Sequence, residues 1–309
     1  MNPLQRQQGA LRIEDIALAD IAARFGTPCY VYSRAALTAA FEDYRSALAG
    51  RNALICFAVK ANSNLAVLNV FARLGAGFDI VSGGELARVM AAGGDPARVV
   101  FSGVSKTEME MEQALDLGIR CFNVESASEL ERLDAVAGRL GKVAPVSLRV
   151  NPDVDPKTHP YISTGLKTSK FGVPFEDALA LYHRAAALPH LRVEGIDCHI
   201  GSQILDPAPA AEAAGKIIGL VDRLAAEGIA IHHIDLGGGK GIRYRDEAVL
   251  SAAEYLAPLL QITAGRPEQL LFEPGRSLVG NAGLLLTRVE VLKHGEGKNF
   301  AVVDAAMND

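Results

Sequence analysis

Short apolar runs recur along the chain, each rich in valine, isoleucine, leucine or phenylalanine. Runs of this length and composition are typical of strands that lie buried in a parallel sheet. The eight predicted strands are 54–59, 78–81, 99–102, 121–124, 146–150, 193–199, 231–236 and 270–272.

Between these runs, apolar residues recur at the three- and four-residue spacing of amphipathic helices, most regularly at 217–224. Ser126, with Glu129 three residues later, predicts an N-cap with a capping box at the start of one helix. Strands that alternate with helices imply parallel pairing. Eight such units predict a closed (β/α)₈ barrel of the TIM type rather than an open doubly wound sheet.

The two ends of the chain do not follow this alternation. Before the barrel we predict a helix at 13–25, a strand at 29–32 and a helix at 35–48. After the barrel we predict strands at 284–292 and 300–303, with a hairpin loop between them.

Two or three strands do not form a stable sheet alone, so we interpret both ends as parts of one further β domain. The predicted domains are an N-terminal segment at 1–35 that is associated with this β domain, the barrel at 36–282, and the start of the β domain at 283–309. We expect the β domain to be incomplete and the chain to be truncated at its C-terminus.

Polar residues and glycines follow the predicted strands at the end where barrels of this type carry their active sites. Lys60 follows the first strand, His199 the sixth and Glu273 the eighth. A lysine, a histidine, an acid and a triple glycine at one end of a barrel predict a functional site. The candidate residues are Lys60, Asp79, Arg149, His199, Ser202, Gly238, Gly239, Glu273, Gly275 and Arg276.

Composition and charge narrow the class of protein. The 309 residues carry a net charge of −5, which argues against a nucleic-acid surface. No apolar run approaches the roughly 18 residues of a membrane helix, so we expect no membrane association. The four cysteines form no CxxC pair, and we interpret them as reduced thiols of a cytoplasmic protein. No histidine pair has metal-ligand spacing, so we predict no metal site.

The candidate residues together describe one kind of chemistry. Burial of the Lys60 amine is expected to lower its pKa, and a neutral amine attacks a carbonyl to form a Schiff base. The glycines at 237–239 allow backbone amides to face an anion. A carboxylate at Glu273 can hold a proton on a heteroaromatic nitrogen, and His199 can stack on a planar ring. This combination predicts a pyridoxal phosphate site.

Each of these residues also has a simpler interpretation when it is taken alone. Lys60 is then a surface lysine at a strand end, and the glycines form a tight turn. Glu273 is then an ion-pair partner of Arg276 or of a neighbouring residue, and His199 a satisfied core residue. Only the combination at one end of the barrel favours a cofactor site.

The motifs resemble the fold-type III pyridoxal phosphate-dependent decarboxylases, which have an alanine racemase-like fold, and among them the diaminopimelate decarboxylase family. The resemblance covers nearly the whole chain in order. The matching runs are FAVKAN (57–62), FDIVSGGEL (78–86), RVNPDVDP (149–156), HPYISTGLKTSKFG (159–172), CHIGSQI (198–204), GGGKGIRY (237–244), EPGRSLVG (273–280) and VVDAAMND (302–309).

This resemblance implies a role for each candidate residue. Lys60, His199 and Glu273 are implied to be catalytic, as the Schiff-base lysine, the ring-stacking histidine and the partner of the pyridine nitrogen. Arg276 is implied to bind a substrate carboxylate as well as the cofactor. The implied cofactor contacts are Lys60, Asp79, Arg149, His199, Ser202, Gly238, Gly239, Glu273, Gly275 and Arg276. Lys240 departs from the family pattern, which has an apolar residue there.

The implied reaction is decarboxylation of meso-2,6-diaminopimelate to L-lysine and carbon dioxide, a step of lysine biosynthesis. An ornithine, arginine or carboxynorspermidine decarboxylase is an alternative. A non-catalytic pyridoxal phosphate-binding paralogue or fragment is another. An alanine racemase-like activity is disfavoured, because racemases avoid a carboxylate at the pyridinium. Family members continue beyond the position of Asp309 and complete their sites as homodimers, so the full-length form is expected to be a homodimer.

Overall fold

The computed structural model describes residues 3–156, 164–165 and 169–308. The chain begins with a small antiparallel sheet, and a helix and one further strand follow it. The predicted helix at 13–25 is wrong in its first five residues, because Glu14 has a φ of 50° and the chain there forms strands. These first elements are β1 (Leu4–Gln7), β2 (Ala10–Ile13), β3 (Ile16–Ala17), α1 (Leu18–Phe25) and β4 (Cys29–Tyr32).

Eight parallel strands then close into a barrel, which confirms the predicted fold class. The sheet closes because β9 pairs with both β8 and β11. The short β10 pairs with the last two residues of β9, Val150 and Asn151. These strands are β5 (Ala53–Ala58), β6 (Gly77–Ile80), β7 (Val99–Phe101), β8 (Cys121–Val124), β9 (Ala144–Asn151), β10 (Val173–Pro174), β11 (Leu191–Asp197), β12 (His233–Asp235) and β13 (Gln269–Phe272).

Helices cover the outside of the barrel and bury the outward faces of its strands. Alternate residues of a strand point to opposite faces. Phe57 of β5 therefore points outward, where its ring lies 4.4 Å from that of Phe71, while Cys56 points into the barrel. The helices after β4 are α2 (Arg34–Ala47), α3 (Leu65–Arg73), α4 (Gly83–Ala91), α5 (Glu108–Leu117), α6 (Ala127–Arg139), α7 (Phe175–Ala187), α8 (Ala208–Ala226), α9 (Ala252–Ile262) and α10 (Arg276–Val279).

The start of α6 confirms one local prediction and corrects another. The Ser126 side chain accepts a hydrogen bond from the Glu129 amide, as an N-cap does. The reciprocal bond of a capping box does not form, because the Glu129 carboxylate accepts from the Glu125 amide and from Lys106 Nζ. Complete capping boxes instead open α5 and α9.

The C-terminal elements contact the N-terminal segment. β14 (Gly283–Leu286) pairs with β4, while β15 (Val289–Lys293) and β16 (Phe300–Val303) form an exposed hairpin. The predicted continuous strand at 284–292 is thus two strands. The Asp304 carboxylate accepts hydrogen bonds from the Thr27 and Thr287 hydroxyls, at 2.5 and 2.6 Å. The boundaries of a separate β domain stay a prediction.

Candidate active site

A cavity of about 400 Å³ lies at the C-terminal ends of the barrel strands, where the polar residues were predicted to gather. Seven of the ten predicted site residues line it. Its lining is Ala58, Lys60, Ala61, His199, Ser202, Gly239, Lys240, Glu273, Gly275, Arg276, Val279 and Gly280. Asp79, Arg149 and Gly238 contact residues of this lining or pack behind it.

A larger cavity of about 710 Å³ lies beside α2 and α10. Lys240, the residue predicted to depart from the family pattern, lines both cavities. The smaller cavity is the candidate site, because it collects the charged groups with displaced pKa values at the mouth of the barrel.

Lys60 lies in a 3₁₀ turn at Val59–Ala61, directly after β5. Its Nζ is 2.6 Å from Oδ2 of the fully buried Asp79, and the cavity leaves 49% of the lysine side chain accessible. Burial opposes the charge on this amine, but the Asp79 and Glu273 carboxylates outweigh burial and raise the pKa of Lys60. The predicted lowering of this pKa is therefore wrong, because acidic neighbours follow the other strands.

Glu273 follows β13 at the back of the cavity and is only 5% exposed. Its Oε1 has no hydrogen-bond partner among the described residues. Burial and the nearby carboxyls of Asp235 and Asp79 raise the pKa of Glu273 well above its usual value. A buried acid in a cavity lining is suited to a ligand that brings a positive charge or an N–H group.

Two further acids, which the sequence analysis did not single out, lie next to Glu273. Asp197 on β11 and Asp235 on β12 each place a carboxylate oxygen within 4.8 Å of an oxygen of the others and of Glu273. The only signal in the sequence was their position near the ends of two strands. No ion is needed to explain this group, and the absence of a metal site stays a prediction.

His199 follows β11, and its ring is held by the glycine turn. Its Nδ1 accepts a hydrogen bond from the Gly238 amide at 3.2 Å. Burial, together with the positive charges of Arg149 and Lys60, holds the pKa of His199 well below its usual value. The neutral ring therefore carries its proton on Nε2, and the residue belongs to the cavity lining.

Glycines bring the backbone close to the cavity at two positions. Gly239 has a φ of 106°, and a Cβ there would lie 2.6 Å from the Gly201 carbonyl oxygen. A Cβ on Gly275 would lie 3.1 Å from the Cβ atoms of Ala58 and Ala61. The amide of Gly238 bonds to His199 instead. A phosphate ligand role for Gly238 stays a prediction.

Arg276 begins α10 and crosses the mouth of the cavity. Its Nε donates to Ser202 Oγ at 3.2 Å, and its Nη1 donates to the Tyr244 hydroxyl. It forms no ion pair with Glu273 among the described residues, so the part of the simpler interpretation that pairs these two residues is wrong. Tyr244 was missed as a site residue, although it ends the glycine-rich run GGGKGIRY.

Arg149 lies behind the cavity rather than on its wall. It is buried, with Nη1 3.4 Å from Glu125 Oε1 and Nε 3.9 Å from Asp197 Oδ2. Its guanidinium lies 4.9 Å from the ring centre of Phe171. Direct contact of Arg149 with a cofactor stays a prediction, and its observed contacts instead neutralise acids behind the cavity.

Comparisons with known proteins identify the family of this chain. Residues 34–280 match the family model described as the pyridoxal binding domain of pyridoxal-dependent decarboxylases. The chain is 62% identical over 309 residues to the diaminopimelate decarboxylase of Pseudomonas aeruginosa, and the match covers all of this chain and 74% of that protein.

Solved structures give the same result. The diaminopimelate decarboxylase of Helicobacter pylori complexed with L-lysine is 43% identical, with a TM-score of 0.91 over 94% of this chain and 73% of that one. That of M. jannaschii with L-lysine is 36% identical, with a TM-score of 0.94 over 100% of this chain and 74% of that one. The chain therefore belongs to the diaminopimelate decarboxylase family of pyridoxal-dependent decarboxylases.

Proposed function

We propose that this protein removes a carboxyl group from meso-2,6-diaminopimelate to give L-lysine and carbon dioxide, with pyridoxal 5′-phosphate held in the cavity of about 400 Å³. The observation that carries this proposal is the convergence of Lys60, His199 and Glu273 on one cavity. The identity of 62% to a diaminopimelate decarboxylase favours this substrate over ornithine, arginine and carboxynorspermidine.

The residues of the cavity fit this cofactor. The Glu273 carboxylate, which belongs to the cavity lining, would accept a hydrogen bond from a ring N–H. The neutral His199 offers a face for stacking. The turn at Gly275 and the first amides of α10, together with Gly239, would hold the phosphate.

When bound, pyridoxal phosphate supplies an aldehyde that an amine can attack and a cationic ring that withdraws electrons from the bond to be broken. Lys60 Nζ must lose a proton before it can attack, and Asp79 Oδ2 at 2.6 Å is the base in reach. Glu273 would stabilise a proton on the ring nitrogen. Arg276 at the cavity mouth would bind a substrate carboxylate in two-point contact.

We also propose that the protein acts in the cytoplasm and as a homodimer. The four cysteines are free thiols, as is usual in a reducing compartment. No helix in the described parts of the chain is both long and apolar enough to cross a membrane. Analytical ultracentrifugation tests the dimer.

The function is tested by the covalent adduct and by turnover. Borohydride reduction of the protein loaded with pyridoxal phosphate should fix the cofactor on Lys60, as read by peptide mass spectrometry. Lys60→Ala should abolish the adduct, while Lys240→Ala, which removes the other lysine of the cavity lining, should retain it. The loaded protein should release carbon dioxide from meso-diaminopimelate in preference to ornithine or arginine. Label on a different lysine, or preference for ornithine, would refute the assignment.

A further inference from the structure

Asp235 is joined to Glu273 through one glycine. The Gly237 amide donates to Asp235 Oδ1 at 2.9 Å, and the Gly237 carbonyl accepts from the Glu273 amide at 2.7 Å. Asp235 is fully buried, and its Oδ2, like Glu273 Oε1, has no hydrogen-bond partner among the described residues. The backbone therefore fixes two carboxyl groups side by side in the barrel.

The charges around this pair leave it without a cation of its own in the described parts of the chain. Lys60 bonds to Asp79, and Arg149 lies between Glu125 and Asp197. The other titratable groups that face the pair are His199, Cys56 and Cys121. All three are neutral, because burial lowers the pKa of the histidine and raises the pKa of each thiol. Lys60 and Arg149 are thus the two cations near five acids, which are Asp79, Glu125, Asp197, Asp235 and Glu273.

Two adjacent buried carboxyl groups cannot both ionise without a counter-charge. Burial raises the pKa of Asp235 and of Glu273, in the same direction as this argument from geometry. The pair therefore holds one proton at neutral pH, and one of its two members, Glu273, lines the cavity.

We propose that Asp235 is a positioning residue that keeps a proton on the Asp235–Glu273 pair, and that Glu273 passes this proton to the ring nitrogen of pyridoxal phosphate as the cofactor binds. This inference rests on the proposed function. The O–H bond of Glu273 breaks, its electron pair stays on the carboxylate, and the lone pair of the nitrogen forms the new N–H bond. Binding then protonates the ring without taking a proton from solvent.

Isothermal titration calorimetry in buffers of different ionisation enthalpy counts the protons that binding takes up. The two probes are pyridoxal phosphate and its analogue with carbon in place of the ring nitrogen. They are compared at a pH above the pKa of that nitrogen in the free cofactor. The wild-type protein should take up the same number of protons with both, because the pair supplies the proton of the ring.

Asp235→Asn removes one acid and leaves an amide that donates to an ionised Glu273. This variant should take up about one proton more with pyridoxal phosphate than with the carbon analogue. Relative to the analogue, its affinity for the cofactor should fall about tenfold per pH unit. Ser147→Ala, which removes a buried unpartnered hydroxyl from the same barrel without a change of charge, should match the wild type.

A wild-type protein that takes up about one extra proton with pyridoxal phosphate would overturn the inference, and this comparison needs no variant to fold. Equal proton counts for Asp235→Asn and the wild type would overturn the role of Asp235. Failure of the wild type to bind either ligand would overturn the proposed function itself. Equal counts in the wild type with an extra proton in Asp235→Asn would support the inference.

Discussion

The interior of the barrel is divided between an apolar cluster and an acidic cluster, and some strands supply both. The apolar cluster is Leu54, Cys56, Val100, Cys121 and Leu271. The acidic cluster is Asp79, Asp197, Asp235 and Glu273, with each residue at most 5% exposed. Leu271 of β13 belongs to the first cluster, and Glu273, which directly follows β13, belongs to the second.

The two clusters differ in whether their groups are satisfied by the protein alone. The apolar cluster needs no partner beyond close packing. Each member of the acidic cluster, in contrast, has one buried oxygen without a hydrogen-bond partner among the described residues. Burial of such groups destabilises a fold. The comparison indicates that the apolar cluster stabilises the barrel and that the acidic cluster is retained for binding a ligand.

The close packing next to the apolar cluster leaves no room for a methyl group on Gly195. Gly195 faces His233, and a Cβ on Gly195 would lie 2.1 Å from His233 Nε2. Gly195→Ala should lower the free energy of unfolding by about 3 kcal/mol, at the upper end of the cost of overpacking. Chemical denaturation measures this change. Gly215→Ala, on an open face of α8, should raise stability instead, and equal effects of both substitutions would contradict the packing argument.

Substitution of a residue in the acidic cluster should change the enzymatic activity rather than the stability. Glu273→Gln should retain the cofactor, but the amide cannot balance a cationic ring. Loss of one charge-assisted hydrogen bond of about 1.5–3 kcal/mol should lower kcat roughly ten- to a hundredfold or more. Steady-state kinetics and the cofactor absorbance measure the two quantities. Glu290→Gln on the exposed β15 is the matched control, and unchanged turnover in Glu273→Gln would remove Glu273 from this role.

The buried His233 should make the stability of the protein depend on pH in the acid range. Burial lowers the pKa of His233 to about 3, while an unfolded histidine takes up its proton near pH 6.5. The unfolded state thus binds more protons between these values, and stability should fall as the pH falls through this window. The slope from this residue is about 1.4 kcal/mol per pH unit.

His233→Gln should remove that slope from the pH dependence of unfolding. His232→Gln changes the adjacent, exposed histidine and should leave the slope unchanged. The same acid dependence in both variants would show that His233 is not the group that titrates.

The smallest effect is expected at the rim above the acidic cluster. Tyr244→Phe removes the hydroxyl that accepts from Arg276 Nη1 and leaves the aromatic ring. Loss of one hydrogen bond of about 0.5–1.5 kcal/mol should raise KM roughly two- to tenfold with little change in kcat. Tyr30→Phe, at an exposed tyrosine of β4, is the control. A fall in kcat at constant KM would place Tyr244 in the chemical step instead.

Much of the site could be predicted from the sequence because its main residues follow strands. Apolar runs located all eight barrel strands, with ends wrong by at most two residues. Topology then assigned Lys60, His199 and Glu273 to one end. The errors arose where one apolar pattern was compatible with more than one type of secondary structure. The apolar spacing at 13–25 suited a helix, but the turn at Glu14 divides it.

The sequence by itself thus determined the barrel and the polar residues at its mouth, because strand periodicity and strand order are local properties. Only the tertiary structure decided which groups meet. The pairing of β12 with β13 puts Asp235 beside Glu273, and the path of the chain after β12 brings Tyr244 to Arg276. The raised pKa of Lys60 follows from Asp79 on a different strand. Such electrostatic effects depend on distances across the barrel, which no spacing along the chain encodes.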